Sequence, residues 1–131
     1  MPPKRFHDAD ATVVPSVGTL AGAQSRGFAD GPAGNARFFF PSGVAIDGEG
    51  NVIVADCCNH CIRKVAPDGT VSTLAGSREG QEGFADGAAG DARFNDPGGV
   101  AIDGDGNVIV ADAGNHCIRK VAPDGTVSTL A

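Results

Sequence analysis

Two short segments carry residues of the types that bind metal ions. Cys58 and Cys61 are separated by two residues, a spacing found among zinc ligands, and His60 lies between them. Further along, Asp103-Gly-Asp-Gly-Asn107 has the alternating oxygen side chains with which a calcium-binding loop begins. The first segment would give a zinc site and the second a calcium site, provided that the remaining ligands were present.

Neither set of ligands is complete. A second copy of the cysteine segment has Ala113 and Gly114 at the positions of Cys57 and Cys58. His60 and Cys61, as neighbours on a strand, would point to opposite faces. A calcium loop needs a glutamate at its twelfth position, and Gly114 stands there. We therefore predict a hairpin turn at residues 103–107 and neither a metal site nor a cofactor.

The histidines and serines also lack a catalytic pattern. The nucleophile-elbow motif Gly-x-Ser-x-Gly is absent from the sequence. His60 and His116 are members of a repeat, whereas a catalytic group is needed once in a protein and not once in each repeat. The sequence therefore favours a protein without catalytic activity and leaves an enzyme as the alternative.

These residues take their positions from an internal repeat. Residues 27–75 return 56 positions later as residues 83–131, with 41 of 49 pairs identical and eight different. The earlier piece 17–22 also matches 71–76. Each copy has four runs rich in Val, Ile and Thr, separated by short Gly, Asp and Asn turns. In the first copy these runs are residues 43–47, 51–56, 60–65 and 70–75.

Four strands joined by tight turns form an antiparallel meander, and tandem copies of such a sheet predict the blades of an all-β propeller. A single blade has two faces that need cover, which stacked blades provide for each other. The long connection into each inner strand lies where two blades meet, so we expect its aromatic rings to pack there. They are Phe28, Phe38, Phe39, Phe40, Phe84 and Phe94.

The strands of each copy resemble the NHL repeat. Pro41-Ser-Gly-Val-Ala-Ile-Asp47 is followed by Gly50-Asn-Val-Ile-Val-Ala-Asp56 and Asn59-His-Cys-Ile-Arg-Lys64, and the same order returns between Pro97 and Lys120. The resemblance implies a six-bladed β-propeller with four-stranded antiparallel blades, a fold often used as an interaction platform. The Gly-Phe-Ala-Asp-Gly segment that precedes each blade resembles a long-loop subtype of the family.

On this resemblance the chain holds two complete blades and one N-terminal outer strand of a six-bladed ring. Residues 1–12 are expected to form a disordered leader, 13–22 the outer strand of a neighbouring blade, 23–76 the first NHL blade and 77–131 the second. Two blades do not close a ring of six. The remaining blades would be supplied in cis by a longer chain, of which this is a truncated part, or in trans by a homotrimer.

The overall charge restricts the kinds of partner. Ten Lys and Arg against sixteen Asp and Glu give a formal net charge of −6, whereas nucleic-acid binding needs a basic face. No apolar run approaches the roughly 20 residues of a membrane span, and the chain start lacks the apolar stretch of a signal peptide. We predict no nucleic-acid partner and no membrane segment. The compartment stays unknown, with the cytoplasm as the default.

One set of polar residues recurs around the loop between the second and third strands. Asp and Asn side chains can hold such a turn by accepting backbone N–H bonds, and the arginine can reach carboxylates on the same or the adjoining blade. Because the set is present in both copies, we predict that it is structural. Its members are Asp56, Asn59 and Arg63, with Asp112, Asn115 and Arg119 in the second copy.

The positions that differ between the copies indicate a binding face. The connection into the inner strand and the loop between the second and third strands open on the same side, where we expect all the differences except Glu49. The eight are Pro32, Asn35, Phe39, Phe40, Ser42, Glu49, Cys57 and Cys58.

We predict that Phe39, Phe40, Cys57 and Cys58 bind a protein or a small ligand, because exposed aromatic side chains serve as anchors at interfaces. The predicted function is thus a non-catalytic propeller scaffold that presents one loop face. The alternative is a fragment of a propeller enzyme, of the lyase or lactonase type, whose site residues lie on other blades.

Overall fold

The computed structural model describes residues 15–131, which fold into two sheets of four strands each. A short 3-10 turn lies between the second and third strands of each sheet. The prediction of an all-β fold with four-stranded antiparallel blades is confirmed. The strands are β1 Pro41–Ile46, β2 Val52–Asp56, β3 Cys61–Val65, β4 Val71–Gly76, β5 Pro97–Ile102, β6 Val108–Asp112, β7 Cys117–Val121 and β8 Val127–Thr129.

Each sheet is an antiparallel meander. Strands that follow one another in the chain are neighbours in the sheet, in the orders β1-β2-β3-β4, named blade 1 here, and β5-β6-β7-β8, named blade 2. Tight turns permit only this arrangement, because parallel neighbours need a long crossover. The predicted strand limits of blade 1 agree with the observed ones to within two residues at each end.

Alternate residues of β2 enter two different cores. Val54 packs in a small cluster on one face of blade 1, whereas Ile53 and Ala55 pack against blade 2. This period of two is that of a strand covered on both faces. The core between the blades contains Ile53, Ala55, Ile62 and Ala75 from blade 1, and Ala92, Phe94, Val108, Val110, Val121 and Val127 from blade 2 and the segment before it.

A hairpin-like segment precedes each blade and runs along it. We call residues 27–38 tongue 1 and residues 83–94 tongue 2. Antiparallel bridges between Ala29 and Arg37, and between Ala85 and Arg93, close the two tongues. Of the aromatic rings expected between blades, Phe94 in tongue 2 is fully buried in the core that joins them.

The tip of tongue 1 packs on the turn between β3 and β4. Gly31 forms an antiparallel bridge with Val71 at the start of β4. At Gly69, φ is +90° and an added Cβ would lie 2.7 Å from the Cβ of Ala33. Glycine alone adopts this conformation without strain and leaves room for the tongue.

Residues 15–22 form no strand, although the sequence led us to expect an outer strand at 13–22. The rest of that expectation, and the predicted leader at 1–12, lie outside the described residues. A strand needs a partner for its backbone N–H and C=O groups. In residues 15–131, nothing lies beside this segment in the way that β3 lies beside β4.

The end of this segment nevertheless contacts tongue 1 as the end of β4 contacts tongue 2. The backbone N–H of Gly22 donates to the carbonyl of Ala33 at 3.0 Å. The N–H of Gly76 donates to the carbonyl of Ala89 at 2.9 Å. Residues 20–22 therefore occupy, against blade 1, the place that the last residues of β4 occupy against blade 2.

Candidate binding face

A buried arginine in each blade joins the third strand to the tongue. The guanidinium of Arg63 is inaccessible to solvent and donates from Nη1 to Asp56 Oδ2 at 2.7 Å and from Nη2 to Asp30 Oδ1 at 2.8 Å. We call these three residues the clamp of blade 1. The clamp of blade 2 consists of Arg119, Asp112 and Asp86.

The tongue also surrounds the arginine with carbonyl groups and aromatic rings. Arg63 donates to the backbone carbonyls of Arg37 at 2.9 Å and Ala29 at 2.8 Å. Its guanidinium carbon lies 4.6 Å from the ring centre of Phe28 and 4.9 Å from that of Phe38. Cation–π contacts of this kind favour a desolvated guanidinium. The clamp thus fixes the whole tongue on the blade.

Asp56 connects the clamp to the loops above it. Its Oδ1 accepts the backbone N–H of Phe39 at 2.8 Å, and its Oδ2 accepts Nδ2 of Asn59 at 2.8 Å as well as Arg63. Asn59 also donates to the carbonyl of Gly27 at 2.8 Å. The six predicted turn residues therefore lie in two hydrogen-bonded clusters, because Asp112, Asn115 and Arg119 make the corresponding bonds.

Sequence reasoning missed Asp30 and Asp86, the second carboxylates of the two clamps. Each lies 33 residues before its arginine and is separated from it by two strands. A signal existed, because both copies of the Phe-Ala-Asp-Gly segment carry this aspartate at the same distance from an arginine. Nothing in a strand pattern, however, indicates that the two meet.

The predicted binding residues lie together at one rim of blade 1. The backbone N–H of Cys58 donates to the carbonyl of Phe39 at 2.9 Å, and that of Cys57 donates to the carbonyl of Phe40 at 3.2 Å. We call this surface the loop face. The Phe40 side chain is 72% exposed, and the ring of Phe39 lies 5.2 Å from the guanidinium carbon of Arg26.

Blade 2 has a smaller and more polar version of the same rim. The N–H of Gly114 donates to the carbonyl of Asn95 at 2.8 Å. A Cβ added at Gly114 would lie 2.6 Å from Asn95. A side chain at position 114 therefore requires local adjustment of Asn95, and we treat Phe39 with Cys58 and Asn95 with Gly114 as corresponding pairs of the two rims.

The cysteines of the loop face are free thiols. Burial, with a smaller contribution from the charge of Asp96, raises the pKa of Cys57 to about 11. Burial also raises the pKa of Cys61 and that of Cys117 above the usual value of a thiol. Since the thiolate is the nucleophilic form, Cys57 is protonated and weakly reactive at neutral pH.

Two of the differing positions lie away from the loop face. Pro32 and Asn35 form the tip of tongue 1, where the N–H of Asn35 donates to the carbonyl of Pro32 at 2.9 Å. This tip packs on Gly69, at the rim that also carries Glu49. The sequence predicts seven of the eight differing positions on the side of the loop face, but the structure places five there. The other two, Pro32 and Asn35, lie at the opposite rim because tongue 1 extends along the blade and turns there.

The two motifs that suggested metal sites have other contacts. The Nδ1 atom of His60 accepts the backbone N–H of Asp96 at 3.1 Å, so this ring links the two blades. The carboxylate of Asp103 accepts the backbone N–H groups of Asp105 and Asn107, both at 2.9 Å, in a hairpin turn. Among residues 15–131 no three His, Cys, Asp or Glu side chains are grouped as metal ligands.

In the same part of the chain, no helix has the length and apolar character to cross a bilayer.

Comparison with known proteins identifies the repeat. Residues 38–65 and 94–121 match the family model of the NHL repeat. The matched residues contain the first three strands of each blade, β1 to β3 and β5 to β7.

Curated relatives contain similar segments within much longer chains. Protein SUPPRESSOR OF QUENCHING 1, chloroplastic, of Arabidopsis thaliana is 37% identical over 93 residues, and NHL repeat-containing protein 2 of Bos taurus is 38% identical over 96 residues. The alignments cover 70% and 71% of this chain but only 9% and 13% of the two relatives. The chain therefore spans about a tenth of the length of these proteins.

Solved structures share the fold. A structural genomics protein of unknown function from Bacteroides thetaiotaomicron is 33% identical with a TM-score of 0.72, over 82% of this chain and 26% of that one. An auxiliary nutrient binding protein from the same organism is 29% identical with a TM-score of 0.69, over 84% of this chain and 28% of that one. The chain contains two NHL repeats, a curated relative is named for the same repeat, and its blades match those of solved structures. The chain therefore belongs to the NHL-repeat family of β-propeller proteins.

Proposed function

We propose that this chain is a non-catalytic scaffold that binds a protein or small ligand on its loop face. The observation that carries the proposal is the placement of the differences between the two repeats. Four of the eight differing positions, Phe39, Phe40, Cys57 and Cys58, belong to two connections that are hydrogen-bonded to each other at one rim, and a fifth, Ser42, follows at the start of β1. Apart from Ser42, which is Gly98 in blade 2, the strands and clamps beneath them are the same in both blades. Most of what distinguishes blade 1 therefore lies at this rim.

The chemistry of the loop face suits a partner with an apolar side chain next to an acidic group. Phe40 projects into solvent, and a shallow groove of about 270 Å³ lies beside it. Residues 22–26, Phe38 and Phe40 line this groove, which places the cation of Arg26 at its edge. An aromatic anchor with a charged rim is the composition of interface hot spots. A binding role also agrees with the nutrient-binding neighbour among the solved structures.

The proposal is tested by giving blade 1 the rim of blade 2. The variant Phe39→Asn, Phe40→Asp, Cys57→Ala and Cys58→Gly puts the four corresponding residues of blade 2 into blade 1 together, so that Phe39 and Cys58 are changed at the same time. It creates a loop that the same protein already contains, so the fold should be kept, as checked by circular dichroism and thermal unfolding. Peptides selected from a displayed random library on the wild-type chain supply the probe, and their affinity is measured by titration calorimetry.

We expect the exchanged variant to lose at least tenfold in peptide affinity, as the removal of an aromatic anchor does. The reverse exchange in blade 2, at Asn95, Asp96, Ala113 and Gly114, should create a second site and double the number of peptides bound per chain. Equal affinity of the wild-type chain and the blade 1 variant would refute the loop face as the binding surface.

A further inference from the structure

Among residues 15–131, each blade packs one face on the other blade and has a second face, called the open face here, that is partly exposed; on blade 1, Ala21 and Phe38 cover part of it. On blade 1 the open face carries Val44 and Ile46, which are 64% and 62% exposed. An apolar groove of about 210 Å³ lies on this face and is lined by Val44, Val52, Val54 and Val65, and by Leu20 and Ala21 of the segment before tongue 1. The open face of blade 2 carries Ile109, Ala111, Ile118 and Ala131.

The two open faces have the same residues as the two faces that meet inside the chain. Ala111 is exposed, but its counterpart Ala55 is completely buried against blade 2. Ile118 is 38% exposed and its counterpart Ile62 is completely buried. On the other side, the exposed Val44 corresponds to Val100, which packs against the core between the blades.

The contact between blade 1 and blade 2 inside the chain is therefore a junction between two kinds of face. The same two kinds of face are also present on the outer sides of the two blades. We propose that the open face of blade 2 binds the open face of blade 1 of a second copy of this chain. The contact would reproduce the internal junction between the blades and continue it from one copy to the next. It joins different surfaces head to tail, so it repeats until the copies close into a ring. Three copies give six blades, the number that the family resemblance implies.

Residues 15–21, before tongue 1, must be displaced from blade 1 for this junction to form. Leu20 and Ala21 lie on blade 1 where Leu74 and Ala75 lie on blade 2, so Leu130 and Ala131 of the preceding copy would need the same site. The segment before tongue 1 is the weaker competitor, because residues 15–22 form no strand.

By contrast, β8 is anchored in its own blade. Val127 is buried and exchanges two backbone hydrogen bonds with Gly87, at 2.8 and 2.9 Å. The hydroxyl of Thr129 donates to Asp86 of the clamp at 2.9 Å. We therefore expect β8 to stay in place and residues 15–21 of the next copy to be displaced.

The junction between copies would lack one hydrogen bond that the junction inside the chain has. Within the chain, the hydroxyl of Ser42 donates to the carbonyl of Pro97 across the two blades at 3.0 Å. Between copies the position of Ser42 is taken by Gly98, which has no hydroxyl. A Cβ added at Gly98 would meet only Ala113, at 3.9 Å, so serine fits there.

The first test is the mass of the whole 131-residue chain in solution, measured by light scattering with circular dichroism of the same species. We expect a β-rich species at three times the chain mass of 13.1 kDa. Ala111→Arg should give a folded monomer, because residue 111 is exposed in one chain and its counterpart is buried in a junction. Thr126→Arg is the control, since its counterpart Thr70 stays exposed beside blade 2.

The second test strengthens the junction. Gly98→Ser should lower the dissociation constant of the assembly by about fivefold for each junction, the effect of one added hydrogen bond. A wild-type chain that is monomeric or disordered at every concentration would overturn the proposal. Open filaments in place of a discrete trimer would overturn ring closure, and a trimer that survives Ala111→Arg would overturn the assigned surface.

Discussion

Replacing Arg63 by methionine should destabilise the chain more than any change at an exposed ion pair. The substitution keeps an apolar side chain between Phe28 and Phe38 but removes both charge-assisted hydrogen bonds of the guanidinium. Asp56, which is completely buried, then lacks its counter-charge. Removing one partner of a buried pair costs about 3–5 kcal/mol, a large part of the roughly 5–15 kcal/mol that stabilises a domain.

Urea unfolding followed by circular dichroism measures this loss. With a slope of about 2 kcal/mol per molar urea, a loss of about 4 kcal/mol lowers the midpoint by about 2 M. Asp30→Asn is the matched control, because the Asp30 side chain is 32% exposed and an amide oxygen still accepts from Arg63. We expect this control to lose about 1 kcal/mol or less, since solvent screens the pair.

A double-mutant cycle separates the ion pair from the loss of packing. Asp56→Asn removes the other buried charge and should also be strongly destabilising alone. In the double variant Asp56→Asn, Arg63→Met no fully buried charge is left unpaired, because Asp30 is partly exposed to solvent. Its loss should therefore be at least about 2 kcal/mol smaller than the sum of the two single losses. An Arg63→Met protein within about 1 kcal/mol of the wild type, or additive single losses, would refute the reasoning.

Three smaller changes test other contacts. Gly69→Ala should lower stability by about 1–3 kcal/mol through backbone strain and contact with the tongue, whereas Gly48→Ala, with open space around it, should lower it much less in the same thermal unfolding assay. Alkylation of Cys57, followed by mass spectrometry, should still accelerate between about pH 9 and 10, where an ordinary thiol is largely ionised, because its pKa is about 11; a plateau by pH 9 would contradict this. Hydrogen bonds from Asn107 hold the pKa of Asp103 below 3.8 in the folded chain. The stability that the ionised carboxylate contributes is therefore present above about pH 4 and is lost as the pH falls through the pKa of the folded state. The unfolding midpoint of Asp103→Asn should accordingly fall less steeply with decreasing pH than that of the wild type.

The strands and their pairing could be predicted from the sequence because each depends on local chemistry. Val, Ile and Thr runs between Gly-Asp turns fix both the strand and its antiparallel neighbour. The loop face was predicted for a similar reason, as β2 and β3 must bring Cys57 and Cys58 to the rim where Phe39 and Phe40 enter β1.

The course of the tongues could not be predicted in this way. Placing Asp30 against Arg63 requires a contact over 33 residues that no strand period encodes. The same difficulty affected Pro32 and Asn35, whose position at the opposite rim depends on how far the tongue extends. Residues 17–22 show a different limit: they match β4 in sequence but form no strand, and within residues 15–131 no strand lies beside them as β3 lies beside β4.

The clamp also has a consequence for how such a gene can change in length. Asp30, Asp56 and Arg63 all fall within one period of 56 residues, together with the tongue and both packing faces of the blade. A stretch of coding sequence that runs from the start of one tongue to the start of the next therefore encodes a cassette that needs no residue from elsewhere to complete its ion pairs. Recombination between two nearly identical cassettes can add or delete a whole blade while every remaining arginine keeps its own carboxylates.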